Sequence, residues 1–143
     1  MSQTFDPAPL LAAASNAAAQ AYAPYSGFRV GAALLLDSGE IVTGANVENA
    51  SYSLTICAER AALVRAIAEH GPQIRIVAVA IANRNQSASP PCGACRQVLA
   101  EFCSAETSVA FPASSATVGE TATRICAFGE LFPFTFDLPA AAC

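Results

Sequence analysis

Apolar and polar positions fall along this chain in blocks whose spacing changes, and the changes mark the elements. Leu10 to Ala23 is apolar and alanine-rich, interrupted by Asn16 and Gln20. Ahead of it, Asp6-Pro7 supplies a capping carboxylate and then a proline at the first helical position. A helix is predicted from there to about Tyr22, ending before Pro24. Phe28 to Leu36 is strand-like, Asp37-Ser38-Gly39 is turn chemistry, and Ile41 to Val47 returns, so a hairpin is predicted. Glu48 to Thr55 is a polar, irregular loop of the kind that binds ligands. Cys57 to His70 reads as a helix, with Ala61, Ala62, Val64, Ile67 and Ala68 at apolar positions and Gly71-Pro72 ending it. Ile74 to Ala82 is rich in Ile and Val and predicts a strand buried on both faces. After a polar loop over Asn83 to Pro91, Cys92 to Cys103 reads as another helix that opens on a cysteine. Val109 to Phe111 and Thr123 to Ala127 are two further strands, joined by a Ser/Thr/Gly-rich connection. Gly129 to Phe136 is a short helical turn before the tail. The order α-β-β-α-β-α-β-β-α predicts an α/β fold, a three-layer sandwich, as one domain over residues 1–143.

Composition narrows the function classes. The 143 residues are 54% apolar, which hints at buried subunit contacts, although alanine-rich helices account for part of the excess. Net charge is −4, and all seven basic residues are arginine. They form no run or stripe, so nothing attracts a nucleic-acid backbone, and a small molecule is the expected partner. The apolar N-terminal stretch lacks the basic residues of a secretory signal, the first arginine being Arg29. No apolar run is long enough to span a bilayer. A cytoplasmic protein is expected, in which the six cysteines stay reduced and are available to metal.

Three of those cysteines carry the chemistry. Cys57-Ala58-Glu59 opens one predicted helix and Pro91-Cys92-Gly93-Ala94-Cys95 opens the next. A buried strand lies between them, so both helix starts are expected at one edge of the sheet, beside the strand C-termini. A catalytic zinc takes three protein ligands and keeps one position for water. Cys57, Cys92 and Cys95 supply three thiolates, favoured by the positive ends of the helices. Three thiolates on one zinc leave a net charge of −1, which Arg60 is placed to offset by hydrogen bonding to sulfur. Glu59, two residues beyond a ligand, can face the bound water and move protons without being a ligand itself. His70 lies at the far end of its helix, interacts with the helix dipole, and is a poor candidate for metal or base.

Cys-Ala-Glu followed by Pro-Cys-x-x-Cys is the signature of the zinc deaminases. Tyr25-Ser26-Gly27-Phe28-Arg29-Val30-Gly31-Ala32-Ala33, Asn46-Val47-Glu48-Asn49-Ala50, Cys57-Ala58-Glu59-Arg60 and Pro91-Cys92-Gly93-Ala94-Cys95-Arg96-Gln97 closely resemble the small homotetrameric cytidine deaminases, and Glu130-Leu131-Phe132-Pro133 resembles that family's Glu-Leu-Leu-Pro. The resemblance covers nearly the whole chain. It implies a five-stranded mixed sheet between helices, one Zn2+ per subunit, a homotetramer with composite sites, and a pyrimidine nucleoside substrate. It implies that Asn46 and Glu48 hold the ribose hydroxyls, that Phe28 lines the nucleoside pocket, and that the backbone at Ala58 meets the pyrimidine ring. Phe136 matches an aromatic that a neighbouring subunit places against the base, with Phe134 as the alternative, and Tyr52 matches a residue at the subunit contacts. The implied reaction is hydrolytic deamination of cytidine and 2′-deoxycytidine in pyrimidine salvage. Zinc acidifies its water, Glu59 passes the proton to N3, hydroxide attacks C4, and Glu59 then protonates the departing amine. The chain departs from the family pattern at Ser89-Pro90-Pro91, which has an extra proline, at Phe132 and Phe134, and in its short apolar tail.

Other readings weigh against this one. Cys-Gly-Ala-Cys alone resembles a thioredoxin-like dithiol, but a dithiol exchanger needs neither Cys57 nor Glu59. A four-cysteine structural zinc would need Cys103 or Cys126. With Cys103 at the other end of its helix, it is expected about a dozen ångströms or more from Cys92. Cys103 and Cys126 are read as small buried hydrophobes and Cys143 as an unpaired tail thiol. Asn46 and Glu48, taken alone, equally suit loop capping. Arg96 could offset thiolate charge or cap the sheet edge, and its residue type alone assigns it neither role. Deaminases of blasticidin-type nucleosides share the two cysteine elements, but Asn46-Val47-Glu48-Asn49 and Cys57-Ala58-Glu59-Arg60 favour the cytidine branch.

Overall fold

A computed structural model of the chain describes residues 5–115 and 120–141. Cys143 lies outside the described residues. The elements are α1 (Ala8–Ala18), β1 (Val30–Leu36), β2 (Ile41–Ala45), a 3-10 turn (Tyr52–Leu54), α2 (Ala58–His70), β3 (Ile76–Asn83), α3 (Gly93–Ala100), β4 (Cys103–Ser114), β5 (Thr121–Ala127) and α4 (Phe128–Leu131).

The five strands form one mixed sheet in the order β2-β1-β3-β4-β5. Strand β1 runs antiparallel to both β2 and β3, β3 and β4 are parallel, and β5 is antiparallel to β4. Strands β2, β3 and β4 therefore point the same way. Each of the two crossovers, β2-α2-β3 and β3-α3-β4, steps toward β5, and crossovers of one hand put both helices on one face. Alternation along the strands sorts side chains between the faces. Leu34, Leu36, Val79, Ile81 and Val109 meet Ala62, Leu63 and Leu99 of α2 and α3 on one side. Ala33, Ala78 and Ala80 meet Leu10 and Ala14 of α1 on the other. Large side chains fill the two-helix layer, whereas alanines let α1 lie close to the sheet. The result is a three-layer α/β/α sandwich.

Two glycines bring helices closer still. A Cβ on Gly31 would stand 1.9 Å from the Ala14 carbonyl oxygen, and one on Gly44 would stand 2.3 Å from the Ala62 nitrogen. Only a residue without a side chain fits at either place.

Several element boundaries differ from the sequence expectation. Helix α1 stops at Ala18 because Tyr22 leaves it to bridge Val47; Tyr22 N–H donates to the Asn46 carbonyl (3.0 Å) and the Tyr22 carbonyl accepts from Glu48 N–H (2.8 Å). At its start, the Asp6 carboxylate accepts Ala8 N–H at 3.0 Å. Helix α3 ends at Ala100, so Cys103 is not its last residue but the first of β4, paired with Ile76 at the far end of β3. Strand β4 is much longer than Val109–Phe111 because Cys103 and Ser108 pair with Ile76 and Ala78 of β3, and Pro112, Ala113 and Ser114 pair with β5. A register irregularity between Ile76 and Ala78 is closed by Thr107, whose hydroxyl donates to the Ile76 carbonyl (3.0 Å) and accepts from Ser104 N–H (2.9 Å).

Candidate active site

The three cysteines that could hold a metal sit where two parallel strands hand over to helices. Cys57 is the N-cap of α2 and Cys92 the N-cap of α3, both in extended backbone, and Cys95 is buried in the first turn of α3. The Cys92 sulfur accepts Cys95 N–H at 3.4 Å, so it serves as the helix cap as well. All three sulfurs lie within 4.8 Å of one another, and Cys57 Sγ is 3.8 Å from Cys92 Sγ. Two ligands at about 2.3 Å on a tetrahedral zinc stand about 3.8 Å apart. The Cys57–Cys92 spacing therefore matches a tetrahedral zinc, with Cys95 close enough to be the third ligand, and both helix dipoles favour negative charge on the sulfurs.

The charge balance is built from neighbouring side chains. Arg60 Nη2 donates to Cys57 Sγ at 3.4 Å and to the Thr55 carbonyl at 3.5 Å. The neighbouring Cys95 thiol, followed by Arg60 and Cys92, holds the Cys57 thiol down at about 5. The same pairing with Cys57, with burial next, pushes Cys95 up. Glu59 is only 5% exposed, and its Oε2 accepts from Cys95 Sγ at 3.2 Å. Burial raises its carboxyl above the usual range. A carboxyl so placed holds a proton more readily than a solvated one, which suits a group that carries protons.

Beside the cluster lies a cavity of about 350 Å3, within the range of small-ligand sites. Cys57, Glu59 and Cys92 open onto it; Phe28, Asn46, Glu48, Tyr52 and Ala58 also line it. Asn46 and Glu48 have structural duties there as well. Asn46 Nδ2 donates to the Phe28 carbonyl at 2.8 Å and its Oδ1 accepts Val30 N–H at 2.9 Å. Each of these amide atoms keeps one further hydrogen-bonding position. Glu48 Oε1 accepts Tyr25 N–H (3.0 Å) and Ser26 N–H (3.1 Å), and Oε2 accepts the Ser26 hydroxyl at 2.5 Å. That hydroxyl, and then the backbone donors, hold the Glu48 carboxyl below its ordinary value.

Some residues stand elsewhere. Phe136 does not line this cavity; it is 66% exposed on the tail, with its carbonyl accepting from Gln97 Nε2 at 3.0 Å. Phe134 is 90% exposed. Arg96, left unassigned by the sequence, bonds two carbonyls. Its Nε donates to the Pro91 carbonyl (2.8 Å) and its Nη1 to the Leu131 carbonyl (2.7 Å), tying the ligand loop to the end of α4. His70 sits in the last turn of α2 with Nδ1 3.1 Å from Glu40 Oε2. Sequence reasoning assigned no site role to Ser26, Thr55, Ser89 or Pro90, all of which line the cavity. The departure at Ser89-Pro90-Pro91 was the available signal for the last two.

Comparison with known proteins agrees with this architecture. Residues 7–111 match the family model for the cytidine and deoxycytidylate deaminase zinc-binding region. A cytidine deaminase of Halalkalibacterium halodurans is 52% identical over 100 residues, 70% of this chain and 74% of that protein. A cytidine deaminase of Mycobacterium tuberculosis is 48% identical over 125 residues, covering 87% of this chain and 85% of that one. The crystal structure of cytidine deaminase from Burkholderia pseudomallei superposes with a TM-score of 0.78 at 39% identity, covering 92% of this chain and all of that one.

Proposed function

The chain belongs to the cytidine and deoxycytidylate deaminase zinc-binding family, and on that premise we propose that it converts free cytidine and 2′-deoxycytidine, with water, to uridine or 2′-deoxyuridine and ammonia. The observation that carries this reading is the buried Glu59 carboxyl held against a cluster of three cysteines that line or adjoin a cavity of about 350 Å3. Cys57, Cys92 and Cys95 hold one Zn2+ per subunit. Zinc, when bound, acidifies water and polarises the reacting centre.

The remaining work falls to this chain's own groups. Glu59 takes a proton from water as its oxygen bonds to C4 and gives that proton to N3; it then takes the remaining proton from the new C4 hydroxyl and gives it to the amino group, so that the C4–N bond breaks, ammonia leaves and the C4 carbonyl forms. Burial suits it to hold a proton between those transfers. Arg60 draws charge from the Cys57 sulfur and so keeps the metal acidic. Phe28 bounds the cavity as an apolar wall, and the backbone at Ala58 meets the base. The remaining hydrogen-bonding capacity of Asn46, together with Glu48, takes the ribose hydroxyls. No lysine or arginine lines the cavity among the described residues, which favours a nucleoside over a nucleotide.

The protein acts as a cytoplasmic homotetramer in pyrimidine salvage, each copy a single deaminase domain spanning residues 1–143. Tyr52 lies at the subunit contacts. Phe136, exposed and outside its own cavity, is presented to a neighbouring copy's site. Sedimentation of the purified protein as a monomer would remove that part of the reading. No nucleic acid or membrane takes part.

Ultraviolet absorbance during incubation with cytidine, run beside Glu59→Ala, tests the reaction. The parent protein is expected to show the cytidine-to-uridine change. Glu59→Ala is expected to retain zinc and lose turnover by about 100-fold or more. Near-normal turnover in that variant would reject Glu59 as the proton carrier. A zinc-loaded parent that leaves cytidine intact would reject the substrate.

A further inference from the structure

Phe28 does not hold its own place in the cavity wall. It lies two residues before β1, where the β1–β3 ladder has just ended at the Val30–Asn83 pair. Continuing that register places Asn85 opposite Phe28. By then the β3 chain has begun to turn away, and Gln86 adopts a left-handed backbone (φ 52°). The Asn85 side chain replaces the missing ladder contacts. Its Oδ1 accepts Arg29 N–H at 3.0 Å and its Nδ2 donates to the Gly27 carbonyl at 3.2 Å, gripping the backbone on both sides of Phe28. Next to this grip, Arg84 N–H donates to the Arg29 carbonyl at 3.0 Å.

The same loop builds another part of the cavity lining. Asn83 Oδ1 accepts Asn85 N–H at 3.0 Å, and Asn83 Nδ2 donates to Ser89 Oγ at 2.8 Å. Ser89 and Pro90 line the cavity, and the chain then reaches the ligand Cys92. Asn46 and Ser26 hold the Phe28 backbone itself, at its carbonyl (2.8 Å) and its N–H (2.9 Å), and Asn85 holds the residues on either side. The segment that carries Asn85 also leads to Cys92, so Asn85 ties the aromatic wall to the loop of the sulfur cluster.

We propose that Asn85 is a positioning residue for the nucleoside, acting through Phe28 to set the width of the base-binding cavity. The inference rests on the cavity being the nucleoside site. Asn85 does not line the cavity, and its side chain bonds the backbone of Gly27 and Arg29, so its loss acts on binding rather than on proton transfer. In the zinc-loaded protein, Asn85→Ala is expected to raise KM for cytidine about tenfold with kcat changed less than about twofold. Phe28→Ala raises KM on its own. In the Phe28→Ala background, Asn85→Ala then adds less than about twofold, because the group it positions is gone. A full additional rise in the double variant would overturn the proposal, since Asn85 would then act independently of Phe28. An unchanged KM in Asn85→Ala, alongside a raised KM in Phe28→Ala, would overturn it while leaving the cavity assignment standing. An unchanged KM in Phe28→Ala would overturn the cavity assignment itself, and the role of Asn85 with it.

Discussion

Adding one methyl group at Gly44 is expected to disable the metal site from behind. Gly44 lies in β2 directly beneath the first turns of α2. A Cβ there would stand 2.3 Å from the Ala62 nitrogen and 2.8 Å from the Ala58 carbonyl oxygen, whereas ordinary contact begins at 3.4 Å. Both obstacles are helix backbone, which no rotamer change relieves. Helix α2 must therefore withdraw from the sheet by about 1 Å. Its first turn bears Glu59, with Cys57 as its cap. The Cys57 and Cys92 sulfurs are 3.8 Å apart, and zinc–ligand distances tolerate only about 0.2 Å of error. Gly44→Ala is thus expected to weaken zinc binding by about 10- to 100-fold. Overpacking against backbone adds about 3 kcal/mol of destabilisation, which lowers the melting temperature by roughly 10 °C. Gly31→Ala is the matched control. Its Cβ would stand 1.9 Å from the Ala14 carbonyl, an overlap at least as severe, but against α1, which carries no ligand. Competitive titration against a chromophoric chelator reads zinc affinity, and thermal unfolding in EDTA reads the metal-free stability of both variants. Equal zinc loss in both, or parental affinity in Gly44→Ala, would refute the idea that this glycine sets the position of α2 over the sulfur cluster.

Two further predictions follow from the ionisation of named groups. In metal-free protein the Cys57 thiol, held at about 5, is expected to alkylate with iodoacetamide at pH 6.5, whereas burial pushes Cys103 to about 12 and keeps it unreactive; peptide mapping with and without zinc checks both, and protection of Cys57 by zinc is required. The Glu48 carboxyl is held below its ordinary value by the Ser26 hydroxyl and the Tyr25 and Ser26 backbone donors. Its stabilising effect is therefore present above the unfolded carboxyl value of about 4.3 and is lost as pH falls through the lower folded value. Glu48→Gln is expected to be less stable than the parent at pH 7 and to lose less stability between pH 5 and pH 3. Parallel urea curves for the two proteins across that range would contradict it.

The element order was legible because each element is signalled by residues adjacent in sequence. The Ile/Val run of β3, the Asp37-Ser38-Gly39 turn and the Gly71 stop act through local dihedral preference and burial period. The grouping of Cys57 with Cys92 and Cys95 was legible for a related reason. Two successive strand-to-helix steps put their helix N-termini at one sheet edge, and the three sulfurs there lie within 4.8 Å of one another. Boundaries were less legible. Tyr22 continues an alanine-rich helical pattern, yet it pairs with Val47, a partner 25 positions away in the chain. The polar start of β4 shows no strand alternation, because its ladder is closed by the Thr107 hydroxyl rather than by apolar burial.

The sequence by itself determined the kinds of elements, their order and the donor set of the metal site, since these depend on chain-local chemistry and on the few ways such elements connect. The tertiary structure alone decided what the polar side chains of the site hold. Asn46 grips the backbone at Phe28 and Val30, Asn85 grips Gly27 and Arg29, and Arg96 spans the Pro91 and Leu131 carbonyls. Each of these bonds joins a side chain to a backbone atom left unpaired where a ladder or helix ends. Which atoms are left unpaired follows from register and packing between distant segments, and the residue types along the chain carry no periodic signal for it.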